Sequence, residues 1–157
     1  MNYVKIINGD LNNGDGLRVS LWTAGCSLHC KNCHNKDLWD KDIGIKFDES
    51  TIEDLKIMLN DEHVSGLSIL GGEPLMDYNI ETLLTFLPDI YVYLHKRHKD
   101  LWLWTGYNMD EIQQNHKLYE LINNYVDVIV CGRYVDELKI DGKYFGSSNQ
   151  TIYRKGE

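Results

Sequence analysis

Short apolar runs alternate with stretches of helical spacing along this chain, and that alternation limits its fold more than any other feature. Leu17–Thr23 (LRVSLWT), Leu67–Leu70 (LSIL), Leu101–Trp104 (LWLW) and Val126–Val130 (VDVIV) read as strands. A shorter apolar stretch, Tyr3–Ile7, precedes the turn-rich NGDLNNGDG. Between the strands, Ser50-Thr51-Ile52-Glu53 has the form of a capping box, predicting a helix to about Glu62. Residues 79–99 carry helical spacing at Ile80, Leu83, Leu84 and Leu87, with Pro88 expected to split the segment into two helices. Met109–Asn123 reads as a helix with a break near His116, and the Gly-rich, polar tail shows no strong period. Alternating strands and helices of this kind indicate βα units and a parallel sheet.

Each run leads into an unusual motif. LRVSLWT is followed by Gly25-Cys26, LSIL by Gly71-Gly72-Glu73-Pro74, LWLW by Thr105-Gly106-Tyr107, and VDVIV by Cys131-Gly132-Arg133. In parallel α/β proteins the carboxyl ends of the strands share one edge, where ligands bind. Motifs distant in sequence are therefore expected in one pocket. A closed eight-stranded barrel takes about 250 residues, and this chain has 157. The expectation is an α/β fold built as an incomplete, curved parallel (β/α) barrel, one domain over residues 1–157.

The chain is 43% hydrophobic and 25% charged, in the range of ordinary globular proteins. A formal charge of −8 argues against a sequence-independent grip on nucleic acid, because phosphates are held mainly by Lys and Arg. No apolar run approaches the roughly 20 residues that span a bilayer, and MNYVKIINGD lacks the pattern of a signal peptide. Neither a nucleic-acid nor a membrane partner is expected, and the compartment expected is the cytoplasm.

Three of the four cysteines, Cys26, Cys30 and Cys33, fall inside eight residues. In a reducing compartment such a cluster points to a metal or redox site rather than to disulfides. Iron–sulfur clusters are normally held by four thiolates. Three would leave one iron open to an outside ligand, as an open position marks a catalytic zinc site. Two alternatives stand beside this reading. One is a structural zinc module with His29 or His34 as the fourth ligand, although either would sit next to a ligating cysteine. The other is a thiol switch.

The CxxxCxxC loop resembles the signature of radical S-adenosylmethionine (SAM) enzymes. With GCSLHCKNCHNKDLW at 25–39, GGEP at 71–74, WTGY at 104–107, DVIVCGR at 127–133 and GSSNQ at 146–150, nearly the whole chain is similar to the activating proteins of anaerobic ribonucleoside-triphosphate reductases. That resemblance implies a [4Fe–4S] cluster on Cys26, Cys30 and Cys33, with the open iron chelated by SAM. It implies that Gly71-Gly72-Glu73-Pro74 binds the SAM amino group, that the backbone of Asn32, Cys33 and His34 contacts SAM, and that Thr105 walls the pocket. Asn32 stands where many radical SAM enzymes carry an aromatic residue. The implied activity is hydrogen abstraction from a glycine of the large reductase subunit, leaving a glycyl radical, with electrons from an external one-electron reductant such as flavodoxin. A radical SAM enzyme acting on a small molecule is the nearest alternative within the same chemistry.

Several of these residues have plainer readings. GGEP alone would be a turn. Thr105-Gly106-Tyr107 fits a packing turn as well as a pocket wall. His29 and His34 read as orienting or solvent-facing, Trp39 as packing the loop down, and Cys131 as buried packing where the resemblance leads one to expect an aspartate. The string GSSNQ would also make an ordinary loop. No serine–histidine or paired-carboxylate constellation stands out, and the implied reaction needs none.

Overall fold

The computed structural model describes residues 1–157 and contains one mixed sheet of seven strands. In chain order these are β1 (Asn2–Asp10), β2 (Leu17–Thr23), β3 (Ile45–Lys46), β4 (Val64–Gly71), β5 (Asp100–Thr105), β6 (Val128–Cys131) and β7 (Thr151–Arg154). The spatial order is β3-β1-β2-β4-β5-β6-β7. β2, β4, β5 and β6 are parallel, while β1, β3 and β7 pair antiparallel at the two sides. The expected parallel sheet is thus its central four strands. The sheet is open, because β3 and β7 end it without pairing to each other.

Four helices fill the connections: α1 (Glu49–Leu59), α2 (Asp77–His95), α3 (Met109–Gln114) and α4 (His116–Tyr125). Crossovers between parallel strands are right-handed almost without exception. A strand order that always steps the same way therefore puts every helix on one face. The core shows this arrangement. Val19 and Leu21 of β2, Leu67 and Ile69 of β4, Leu101 and Leu103 of β5 and Ile129 of β6 join one apolar cluster with Leu55, Leu83, Ile90, Ile112 and Leu121 from the four helices. The period of two along each strand turns the intervening residues to the other face.

That second face carries no helix. Its Arg18, Ser20, Ser68 and Trp102 are nonetheless fully buried, under the turn before β2 and the segment before β7. Ser68 Oγ donates to Asn13 O at 2.6 Å, Arg18 Nη1 to Asp15 O at 3.0 Å, and Trp104 Nε1 to Tyr144 O at 2.7 Å. Arg18 also meets Asp100 Oδ1 at 2.8 Å, so the buried guanidinium has its counter-charge.

Three local expectations change. The cap of α1 is Asp48, whose carboxylate accepts from Ser50 N and Thr51 N while Thr51 Oγ accepts from Asp48 N. Ser50 lies inside the helix, since the equally strong cap Asp48 precedes it, and the helix stops at Leu59. Pro88 does not split α2, which runs unbroken for 19 residues. Leu83, Phe86, Leu87, Ile90 and Leu94 bury its inner face on both sides of the proline, and that packing outweighs the roughly 3 kcal/mol an interior proline costs. The tail contains β7, only four residues long and half exposed at a sheet edge, too short to announce itself by period. The break near His116 is present: Asn115 ends α3 and caps α4. No helix is long and apolar enough to cross a membrane.

Candidate functional site

The carboxyl ends of β2, β4, β5 and β6 open into one cavity of about 170 Å³. Its walls include Cys26, Cys30 and Cys33 from the loop after β2, Gly71, Gly72 and Glu73 after β4, and Thr105 and Gly106 after β5. Gly132 and Tyr134 follow from β6. Parallel register makes this meeting: Thr23 lies beside Gly71, and Thr105 beside Cys131.

Backbone contacts then lock the loops together. Gly25 N donates to Leu38 O at 2.7 Å and Cys26 N to Trp39 O at 3.0 Å, so the cysteine loop is tied to its own exit. Glu73 N donates to Gly25 O at 2.8 Å and Gly72 N to Thr23 O at 2.9 Å, joining that loop to the end of β4. This approach explains the paired glycines. A Cβ on Gly72 would lie 2.4 Å from Gly25 O, and Gly71 has φ +118° with Thr23 N 2.6 Å from its Cβ position.

All three loop thiols are half-buried. Burial pushes the Cys26 and Cys30 thiols up, while the Tyr134 N–H acts in the opposite sense at Cys30. Cys33 N donates to Cys30 O at 3.1 Å, and Asn35 N to Cys33 Sγ at 3.4 Å. The turn forces His29 to φ 48° and Asn32 to φ 56°. Asn tolerates that conformation well, and His29 is held by stacking on Trp39 at 4.1 Å.

Glu73 is fully buried and braces two strand ends. Its Oε1 accepts from Leu75 N at 2.9 Å and Thr105 Oγ at 2.7 Å, and its Oε2 from Gly106 N at 2.6 Å. These donors favour the charged form, but burial outweighs them and pushes the carboxyl up to about 7. Its oxygens are therefore spent within the protein. The Gly72 carbonyl takes no backbone or side-chain hydrogen bond from the chain and remains a free acceptor beside Glu73.

Of the SAM contacts that the resemblance implies, three lie off the cavity wall. Asn32 turns its side chain away to Asp136 Oδ2 at 2.8 Å. The His34 ring rests on Tyr134 at 5.0 Å. Pro74 is buried beneath the wall. Cys131 sits in the apolar core, its thiol pushed up to about 12 chiefly by burial, so its part is packing. Leu28, Asn35, Trp104, Tyr134 and Gln150 line the cavity without having been anticipated there. Only GSSNQ had drawn attention to Gln150, and a polar string gives no chemistry by itself.

The donor set fits an iron–sulfur cluster better than a zinc ion. Three thiols face one cavity, while neither His29 nor His34 lines it. No three His, Cys, Asp or Glu side chains converge as a single ion would need. A cluster, which carries its own sulfides and spreads its irons, accepts more widely set thiolates.

An α/β chain with three thiols at the carboxyl edge of its parallel strands falls in the class of iron–sulfur proteins, and a family model described as a 4Fe-4S single cluster domain matches residues 12–153. The chain is 34% identical to the anaerobic ribonucleoside-triphosphate reductase-activating protein of Haemophilus influenzae, over 98% of each chain. It is 35% identical to that of Enterobacteria phage T4, over 98% of this chain and 94% of the phage protein. Against that of Escherichia coli K12 the figure is 34%, over 98% of each. The chain belongs to the family of anaerobic ribonucleoside-triphosphate reductase-activating proteins.

Proposed function

We propose that the protein is a radical SAM activase that installs a glycyl radical on an anaerobic ribonucleoside-triphosphate reductase. One observation carries this reading: three half-buried thiols share a single cavity with the paired glycines of β4 and the Thr105 turn of β5. Cys26, Cys30 and Cys33 are assigned to a [4Fe–4S] cluster, and their number leaves one iron for SAM. When bound, the cluster and SAM supply one-electron cleavage of the sulfonium and abstraction of hydrogen from a glycine of the reductase.

The chain's own residues bind and position. The free Gly72 carbonyl accepts from the SAM amino group, and the neighbouring Glu73 carboxyl, held near its ionisation point, becomes an anion once that ammonium arrives. Pro74 fixes the turn that presents them. Thr105 holds Glu73 in place, and the backbone of Asn32, Cys33 and His34 borders the nucleotide. The one-sided winding of the four parallel strands is read as the wall of an incomplete (β/α) barrel. A one-electron reductant such as flavodoxin feeds the site, and the reaction takes place in the cytoplasm as part of the domain spanning residues 1–157.

The test is anaerobic reconstitution with iron and sulfide, then reduction with SAM and the reductase. Formation of 5′-deoxyadenosine and a carbon-centred EPR doublet on the reductase is expected, and Cys30→Ala is expected to lose both. Undiminished yields from that variant, or a wild-type protein that takes up one zinc and no sulfide, would defeat the reading.

A further inference from the structure

The segment after β6 lies across the cysteine loop. Tyr134 lines the cavity wall together with Cys30 and places its ring on His34. Tyr134 OH donates to Asp136 Oδ1 at 3.0 Å, and Asp136 Oδ2 accepts from Asn32 at 2.8 Å. Glu137 pairs with Lys31 at 3.0 Å, an exposed and weak contact. Residues 132–138 thus form a strap touching the loop at positions 31, 32 and 34. The start of the strap is anchored by its own residues, since Gly132 N donates to Thr105 O and Tyr107 O at 3.0 Å each and Arg133 pairs with both Glu111 oxygens at 2.7 and 2.9 Å. Beyond that its only regular element is the 3-10 turn Asp136–Leu138, with no buried residue.

The GSSNQ string ties it down along its length. Gln150 Nε2 donates to Gly132 O at 2.8 Å, Asn149 Nδ2 to Arg133 O at 2.9 Å, and Ser148 N to Leu138 O at 2.9 Å. Val135 N donates to Ser147 Oγ at 3.2 Å. Ser147 is completely buried. The string is folded on itself by the other end of the same glutamine, whose Oε1 accepts from Gly146 N at 3.0 Å, Ser147 N at 3.1 Å and Ser147 Oγ at 3.3 Å. One carboxamide therefore both shapes the string and ties it to the strand end that begins the strap.

We propose that residues 146–150 are a latch that holds the strap, residues 132–138, as a wall of the cavity against the cysteine loop, with Gln150 as its positioning residue. The ligand consequences rest on the cluster and SAM reading above; the mechanical part does not. Loosening the latch frees the strap while leaving the apolar core intact, because none of the five latch residues belongs to that core.

Amide hydrogen exchange on the whole chain, without cluster, reads the latch directly. Gln150→Met removes donor and acceptor together, whereas Gln150→Glu keeps the acceptor and removes the donor to Gly132. Gln150→Met is expected to speed exchange about tenfold across both 133–138 and 146–148, and Gln150→Glu across 133–138 alone. The midpoint of thermal unfolding should stay close to that of the wild type. In reconstituted protein, both variants should lose iron to a chelator several-fold faster and raise the KM for SAM more than they lower kcat. Unchanged exchange at 133–138 in Gln150→Met overturns the latch. Faster exchange there with wild-type iron retention and KM overturns the strap as a wall. A wild-type chain that takes up no cluster but shows the expected exchange pattern retains the latch and defeats the functional reading instead.

Discussion

Glu73 shows how one residue's environment sets its chemistry. Its carboxyl ionises near 7 in the folded chain against 4.5 for the free side chain, with burial as the leading cause. Between those two values the folded state keeps a proton that the unfolded chain has released. Stability therefore falls as pH rises through this window, by about 3 kcal/mol once above it. Glu73→Gln is expected to flatten that part of the stability–pH curve, as thermal melts from pH 4.5 to 7.5 would show. Parallel curves for variant and wild type would refute the assignment. Cys131 gives the converse case. Its thiol is buried and pushed up to about 12, so a neutral alkylating reagent at pH 8 should label Cys26, Cys30 and Cys33 in the native cluster-free chain and reach Cys131 only after unfolding. Mass spectrometry of the labelled peptides decides it. The loop cysteines were legible in the sequence because spacing alone groups them. The role of Glu73 as a brace was not, because its partners Thr105 and Gly106 lie more than thirty positions away.

Among the elements, those with strong apolar runs were the readable ones. β2, β4, β5 and β6 all fall where the runs lie; β2 keeps the bounds of its run, while the other three are shifted or lengthened by a residue or a few, because strand ends are set by pairing rather than by composition. The continuous α2 was not readable. A proline in the middle of a helix is a reliable local signal, and here tertiary burial overrides it. The consequence can be measured: Pro88 lacks the N–H that would donate to Leu84 O, and Pro88→Ala should stabilise the protein by about 1–3 kcal/mol without changing helix content. A loss of stability would mean that the ring's own packing outweighs the missing bond. β7 and the latch before it escaped for a different reason. Four half-exposed residues carry no period, and hydrogen bonds such as Gln150 to Gly132 leave no trace in spacing.

For the whole molecule the two edges of the parallel strands differ, and the difference predicts where a partner sits. At the amino edge, Asp127 is clamped by His95 at 3.0 Å, by Tyr91 OH at 3.1 Å and by Leu101 N at 2.8 Å, while Lys155 N closes on Asp127 O at 2.7 Å. The last helix turn of α2, the start of β5 and the end of β7 are thereby fastened together. At the carboxyl edge the loops are joined to one another but leave a cavity of about 170 Å³, smaller than the roughly 300 Å³ at which small-molecule pockets begin. A nucleotide held there needs a further wall, and under the proposed function the reductase supplies it while presenting a backbone glycine. Titrating the cluster-free chain with reductase should therefore slow amide exchange at 26–35, 71–74, 105–107 and 132–138, leaving the Asp127 clamp unchanged. Protection confined to the clamp, or to the β1–β3 side of the sheet, would place the partner on the wrong edge and separate the reductase from the cysteine loop.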